Sequence, residues 1–237
     1  MPNLTKGKFA FAVLASSLVA FVCAQARSGD NTKANEELTR ATETVQNITS
    51  VPADKGVPKD VLHGAKCVAV IPKLTKGALV VGGEHGAGVA TCRTTSGNWS
   101  SPAPFSVSGV SFGPQIGGKS TDLVMFIMNN EGMQGLMKGH IKLGADVSAA
   151  AGPVGRSASA EGGYKAGILT YSSSKGAFIG ASLNGAELQQ DKKMTDEIFG
   201  KEVSFSDILQ GTVHAQTSEA RDFVNAVQNA KETAQAH

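Results

Sequence analysis

"GPQIGGKSTDLVMFIM", Gly113 to Met128, is the stretch whose reading decides the fold. Gly113, four residues, and then Gly118-Lys119-Ser120 has the spacing of a phosphate-cradling loop. Such a loop is fed by a buried strand and opens a helix at its Lys-Ser pair, so that free N–H groups point at phosphate. The residues after Ser120 argue against that helix. Leu123 to Met128 is an unbroken apolar run containing Val124 and Ile127, which suits a buried strand better than an amphipathic helix. Pro114 also lacks the N–H that a phosphate cradle needs at that point. Strand, Gly-rich turn, strand is the reading, and no nucleotide is expected.

Working outward, Gly109-Val110-Ser111-Phe112-Gly113 has the GxSxG pattern of a hydrolase nucleophile turn. That turn needs a helix after the serine, whereas "FSVSGVSF" alternates like a half-exposed strand and runs into Pro114. Further β-type runs begin at Cys67 ("CVAVI"), Gly77 ("GALVVGG"), Gly88 ("GVATCR") and Ala166 ("AGILTYS"). With 28 glycines and only 5% aromatic residues, the chain suits tight turns and closely packed strands. "KGALVVGGEHGAGV" from Lys76 and "KGAFIGASLNGAEL" from Lys175 suggest two hairpin units sharing one turn, with chance as the competing reading.

Helical texture brackets these runs. Ala34, Leu38, Ala41, Val45 and Ile48 recur at steps of four and three, with Asp30 as N-cap and Pro52 as terminator. "PKDVLHGA" predicts a short helix from Pro58. Asp191 to Phe199 ends at Gly200, and Ser204 with Asp207 caps a short helix ending at Gly211. Ala220, Phe223, Val224, Val227 and Ala230 line a closing helix. The expected fold class is α+β, a mainly antiparallel core of short Gly-rich strands with an N-terminal helix (30–50) and C-terminal helices (the last over 217–235).

The N-terminus reads as a secretory signal over residues 1–26. Lys6 and Lys8 precede an uncharged run, Phe9 to Val22, which ends in "CAQA" with small Ala24 and Ala26. A lipoprotein would begin at Cys23, but Val22 is bulky for that processing site. Cleavage after Ala26 leaves a single domain, 27–237, in the periplasm or cell envelope. The whole chain has 22 Lys+Arg and 20 Asp+Glu; removing Lys6 and Lys8 leaves 20 against 20. A formally neutral chain lacks the basic excess of a nucleic-acid binder. Any electrostatic function must come from a local patch.

Cys67 and Cys92 remain after cleavage, and an even pair in an exported chain is a disulfide candidate, against the alternative of two small buried side chains. The five histidines are scattered without metal-ligand spacing, so neither a metal nor another cofactor is expected. Gly152 to Ser157 ("GPVGRS") would form either an anion-binding nest with Arg156 or an ordinary turn.

"AKCVAVIPKLTKGALVVGGEHGAGV", "DLVMFIMNNEGMQGLMKG", "LGADVSAAAGPVGRSA", "YSSSKGAFIGASLNG" and "IFGKEVSFSDILQG" occur in the order seen in SYLF domains. The chain resembles that family from about 57 to 211. The resemblance implies a binding module without catalysis, a family of lipid-binding domains whose eukaryotic members include actin-binding regulators. It implies anionic phospholipids as ligands and falls on Lys73, Lys76, Lys138, Lys142, Arg156 and Lys175 as the basic residues to watch. This chain carries no recognisable SH3 segment. An exported protein would meet phosphatidylglycerol, cardiolipin or lipopolysaccharide sooner than phosphoinositides or actin. A structural or interaction protein of the envelope is the alternative implied.

Overall fold

The apolar runs at Cys67–Ile71 and Leu123–Ile127 are continuous because their strands are buried on both sides. A computed structural model describes residues 31–52, 56–78, 81–112, 117–154, 166–174, 177–180, 183 and 185–235. Its centre is the antiparallel hairpin of β1 (Cys67–Ala78) and β2 (Val81–Cys92). On its two sides lie β3 (Ala103–Phe112), paired with β2, and β4 (Gly117–Ile127), paired with β1. Nine strands form one sheet among the described residues, in the order β5-β9-β3-β2-β1-β4-β7-β6, with β8 also pairing β7. The added strands are β5 (His140–Lys142), β6 (Ala149–Ala151), β7 (Ile168–Ser174), β8 (Ala177–Gly180) and β9 (Glu187–Gln190). All pairings of these strands are antiparallel except β6 with β7. The fold is α+β.

Helices sort onto the two faces by side-chain parity. Val68, Val70, Val89, Val124, Phe126, Leu169 and Tyr171 point to one face. There they pack under α1 (Asn31–Thr49), α2 (Lys59–Gly64), α4 (Lys192–Phe199) and α6 (Ser218–Gln235). Ala69, Ile71, Leu74, Phe105, Val107, Leu123, Met125 and Ile127 point to the other. That face is covered by α3 (Asn130–Met137), α5 (Phe205–Gln210) and the segment around Leu183 and Ala186. The first is called face A below, the second face B. Predicted caps are in place: Asp191 accepts from the Met194 N–H at 2.9 Å and Ser204 from the Asp207 N–H at 3.0 Å. Gly200 and Gly211 end their helices at φ 67° and 78°, which a side chain would resist.

Several expectations change. The strands are not all short: β1 and β2 have 12 residues each, and the apolar run "GALVVGG" is divided between them rather than forming a strand of its own. Strands do flank the Gly-rich stretch after Phe112, but β3 and β4 are not partners, because the β1–β2 hairpin lies between them. Lys119 and Ser120 sit inside β4, paired with Lys76 and Thr75, so no helix follows the loop-like motif. The first copy of Lys-Gly-Ala lies within a strand, and of the second only Ala177 is among the described residues. Lys76-Gly77-Ala78 ends β1, whereas Ala177 begins β8. Helix α3 and strands β5, β6 and β9 were not expected from the sequence, whereas β8 lies in the second expected hairpin unit and pairs β7. Asp30, the proposed signal segment, Arg156 and Lys175 lie outside the described residues.

Candidate functional site

Strand positions and one helix cap place four of the five expected lysines. Lys73 is at a bulge where β1 slips against both neighbours, between Ile71 and Leu74 on the β4 side. It is exposed, adopts φ 66°, and donates its backbone N–H to Asp122 Oδ1 at 3.1 Å. A non-glycine residue in that region is uncommon, and the Asp122 carboxylate supplies the partner that the broken ladder cannot. Lys76 follows in mid-strand directly opposite Glu84 of β2. Its Nζ lies 2.7 Å from Glu84 Oε2, whose side chain is only 6% exposed. That lysine neutralises a buried acid.

Lys138 is the exposed C-cap of α3, and Lys142 is exposed at the end of edge strand β5. His140 of the same strand bonds Glu187 of β9. Ile141 between them points into the face B core, so His140 and Lys142 point to face A. Lys76, by contrast, shares face B with Leu74. Four ladders separate β5 from β1, about 19 Å at the usual strand spacing. The structure therefore does not bring Lys76 and Lys142 together. Among the described residues, Lys73, Lys138 and Lys142 have no carboxylate within ion-pair distance.

Cys67 and Cys92 are register partners in β1 and β2, with Sγ atoms bonded at 1.99 Å and both residues fully buried. Ser100 closes the same region by accepting the Cys92 N–H at 3.1 Å. Among the described residues, no cluster of His, Cys, Asp and Glu could hold a metal ion, and no helix is long and apolar enough to cross a membrane. The concavity inside the face A core, lined by Val45, Ile48, Trp99, Val124 and Val227, holds about 10 Å³. That is the room of one water, so no acyl chain enters there.

Two charged groups are perturbed by burial. Desolvation raises the Glu37 carboxyl above its ordinary value, opposed by its bond to Arg40. Desolvation lowers the Arg93 guanidinium, which lies 4.3 Å from the Trp99 ring centroid. Glu37 is on α1 and Trp99 belongs to the face A core, so both perturbed groups sit on face A.

Sequence reasoning missed Glu84 as the partner of Lys76. The signal was available only through register, since seven residues lie between them along the chain.

The model of the family described as "Ysc84: Las17-binding protein actin regulator" matches residues 108–230, from mid-β3 into α6. Similar proteins include LAS seventeen-binding protein 3 of Saccharomyces cerevisiae, 35% identical over 166 residues, covering 68% of this chain and 36% of the relative. An SH3 domain-containing protein of Schizosaccharomyces pombe is 33% identical over 177 residues, covering 73% and 41%. SH3 domain-containing YSC84-like protein 1 of Homo sapiens is 29% identical over 182 residues, covering 74% and 53%. The chain thus spans only 36% to 53% of the length of these relatives. No solved structure matches it significantly. On the family match and the order of its motifs along the fold, the chain belongs to the Ysc84 family, the family of the SYLF domain.

Proposed function

We propose that this domain is a non-catalytic binding module that attaches reversibly to anionic phospholipid membranes through exposed lysines. The observation that carries this reading is the asymmetry of charge pairing. Lys73, Lys138 and Lys142 are exposed without carboxylate partners among the described residues, while the buried acid Glu84 is matched by Lys76. Each basic group near an anionic surface contributes about 1 kcal/mol, so three support weak, reversible attachment. With roughly 10 Å of screening length at 0.1 M salt, such attachment weakens steeply as salt rises. Export to the periplasm or cell envelope, from Lys6, Lys8 and the apolar run to Ala26, belongs to the same proposal. Exported protein would have an intact mass beginning at Arg27.

Flotation with phosphatidylglycerol and phosphatidylcholine vesicles at 0.1 M and 0.5 M salt tests the lipid reading. Binding to the anionic vesicles alone, released at high salt, is expected. Equal binding to both lipids, or none, overturns it.

A protein-binding module is the second reading, favoured by the relatives' names, which tie them to Las17 and, through the family description, to actin regulation. Failure of flotation together with saturable binding to a protein partner would select it.

A further inference from the structure

The far half of the central strands is covered on one side only. Along β2, Gly82, Glu84 and Gly86 are buried on face B, while Gly83 and His85 between them are exposed on face A. On β1, Thr75 and Gly77 are exposed beside buried Leu74, and on β3 Ser108 and Val110 are exposed on the same side. The helices of face A stop at the row Val70–Val89–Val124–Tyr171. Beyond it the register runs Thr75–His85–Ser108–Glu187–Lys142, and then Gly77–Gly83–Val110. This half-face is open to solvent.

Three features say what fits it. Val110 is 59% exposed, the most exposed large hydrophobic residue among the described ones. The carboxylates at its margin are hydrogen-bonded, Asp122 to the Lys73 N–H, Asp146 to the Lys142 N–H and Glu187 to His140, and the ammonium groups of Lys73 and Lys142 have no carboxylate within ion-pair distance among the described residues. A Cβ at Gly77 would meet nothing within 4 Å, so that row presents hydrogen-bonded backbone without side chains to hold a flat surface away. β1 and β2 are inner strands, and contact there leaves no backbone group newly unpaired. An uncovered sheet face with free cations at its margin complements a flat anionic surface.

We propose that this open half-face, Thr75, Gly77, Gly83, His85, Ser108 and Val110, is the surface that lies against the anionic bilayer, with Val110 entering the headgroup–acyl boundary. It rests on the lipid-binding reading and adds the orientation of the domain.

The test uses the mature protein with phosphatidylglycerol vesicles. Thr75→Glu with Ser108→Glu places two carboxylates on the half-face at exposed positions, and partitioning should fall at least tenfold. Gln46→Glu with Asn47→Glu, exposed on α1, should change it less than twofold. Val110→Trp, read as the difference from the parent and its single Trp99, should show a blue-shifted emission that is quenched by lipids brominated in the acyl chain. Partitioning of the first pair within twofold of the parent, or an unquenched signal from the introduced tryptophan in vesicle-bound protein, overturns the orientation while leaving lipid binding intact. If the parent protein does not float, the lipid reading fails and the orientation with it. Should the paired glutamates unfold the domain, the tryptophan measurement decides alone.

Discussion

Lys76 Nζ and Glu84 Oε2 lie 2.7 Å apart across the β1–β2 ladder, with the acid buried and the lysine about one-third exposed. The pair fills the space that Gly109 leaves on β3, where a Cβ would stand 2.8 Å from Glu84 Oε1. Removing the lysine alone strands a buried carboxylate. Lys76→Met should cost on the order of 2 kcal/mol, below the range for fully buried pairs because Lys76 is partly solvated. Lys76→Met with Glu84→Gln should recover much of the loss. Urea midpoints of the two variants check this, and equal destabilisation by both would show that the pairing is not the cause. A lipid-binding loss seen on reversing Lys76 would therefore mix charge with damage to the fold. Lys73 and Lys142 are the cleaner positions.

The Cys67–Cys92 bond ties the bases of β1 and β2 across a sequence separation of 25. Cys67→Ser with Cys92→Ser should lower stability by about 3 kcal/mol through the freedom regained by the unfolded loop. Free-thiol counting in denaturant should find none in oxidised protein beginning at Arg27, and only Cys23 in the full chain. Two reactive thiols in protein produced in an oxidising compartment would show that the pair stays reduced there.

Two strand glycines should respond oppositely to alanine. A Cβ at Gly88 would lie 2.4 Å from the Val70 carbonyl oxygen and 2.8 Å from Phe105, so Gly88→Ala should destabilise by about 2 kcal/mol or more. At Gly77 the space is open, and Gly77→Ala should stabilise by roughly 0.5 kcal/mol through reduced freedom of the unfolded chain. Thermal midpoints of the two variants, compared with the parent, should move in opposite directions.

Glu37 gives a pH dependence with a definite sign. Its side chain is buried on α1, Arg40 bonds one oxygen at 3.0 Å, and Oε1 has no partner. Burial raises its carboxyl above the ordinary 4.5, so the folded chain keeps a proton that the unfolded chain has already lost. Its contribution to stability is therefore full below the ordinary value and falls as pH rises through the raised one. Glu37→Gln should raise the melting midpoint at pH 7 and flatten its change across the weakly acidic range. A steeper dependence in the variant would mean that the bond to Arg40 outweighs the burial.

Helix α4 and helix α5 were legible in the sequence because their signals are local: a cap oxygen three residues from its N–H, and a glycine where the helix must stop. The buried strands at Cys67 and Leu123 were legible for a related reason, since burial on both faces removes alternation and leaves an apolar run. The division of "GALVVGG" between β1 and β2 was not, because nothing in an apolar run marks where one strand ends and the next begins. β5, β6 and β9 also escaped, being three- and four-residue strands that exist only as partners to a sheet edge.

For the candidate surface the division is similar. Sequence by itself determined the residue types: a formally near-neutral chain, a strand rather than a phosphate loop after Gly118, and a set of lysines in family-matched segments. Only the tertiary structure decided which charges are free. A lysine's availability depends on what faces it across a ladder, and register set Lys76 against buried Glu84, whereas the acid opposite Lys142, Glu187, is bonded by His140 instead and Lys73 sits at a bulge with no ladder partner. Likewise, alternation along "GGEHGAG" gives two faces but cannot say which one the helices cover. That depended on α1, α4 and α6 ending their cover at Val70 and Val89, which left the row from Thr75 to Val110 open.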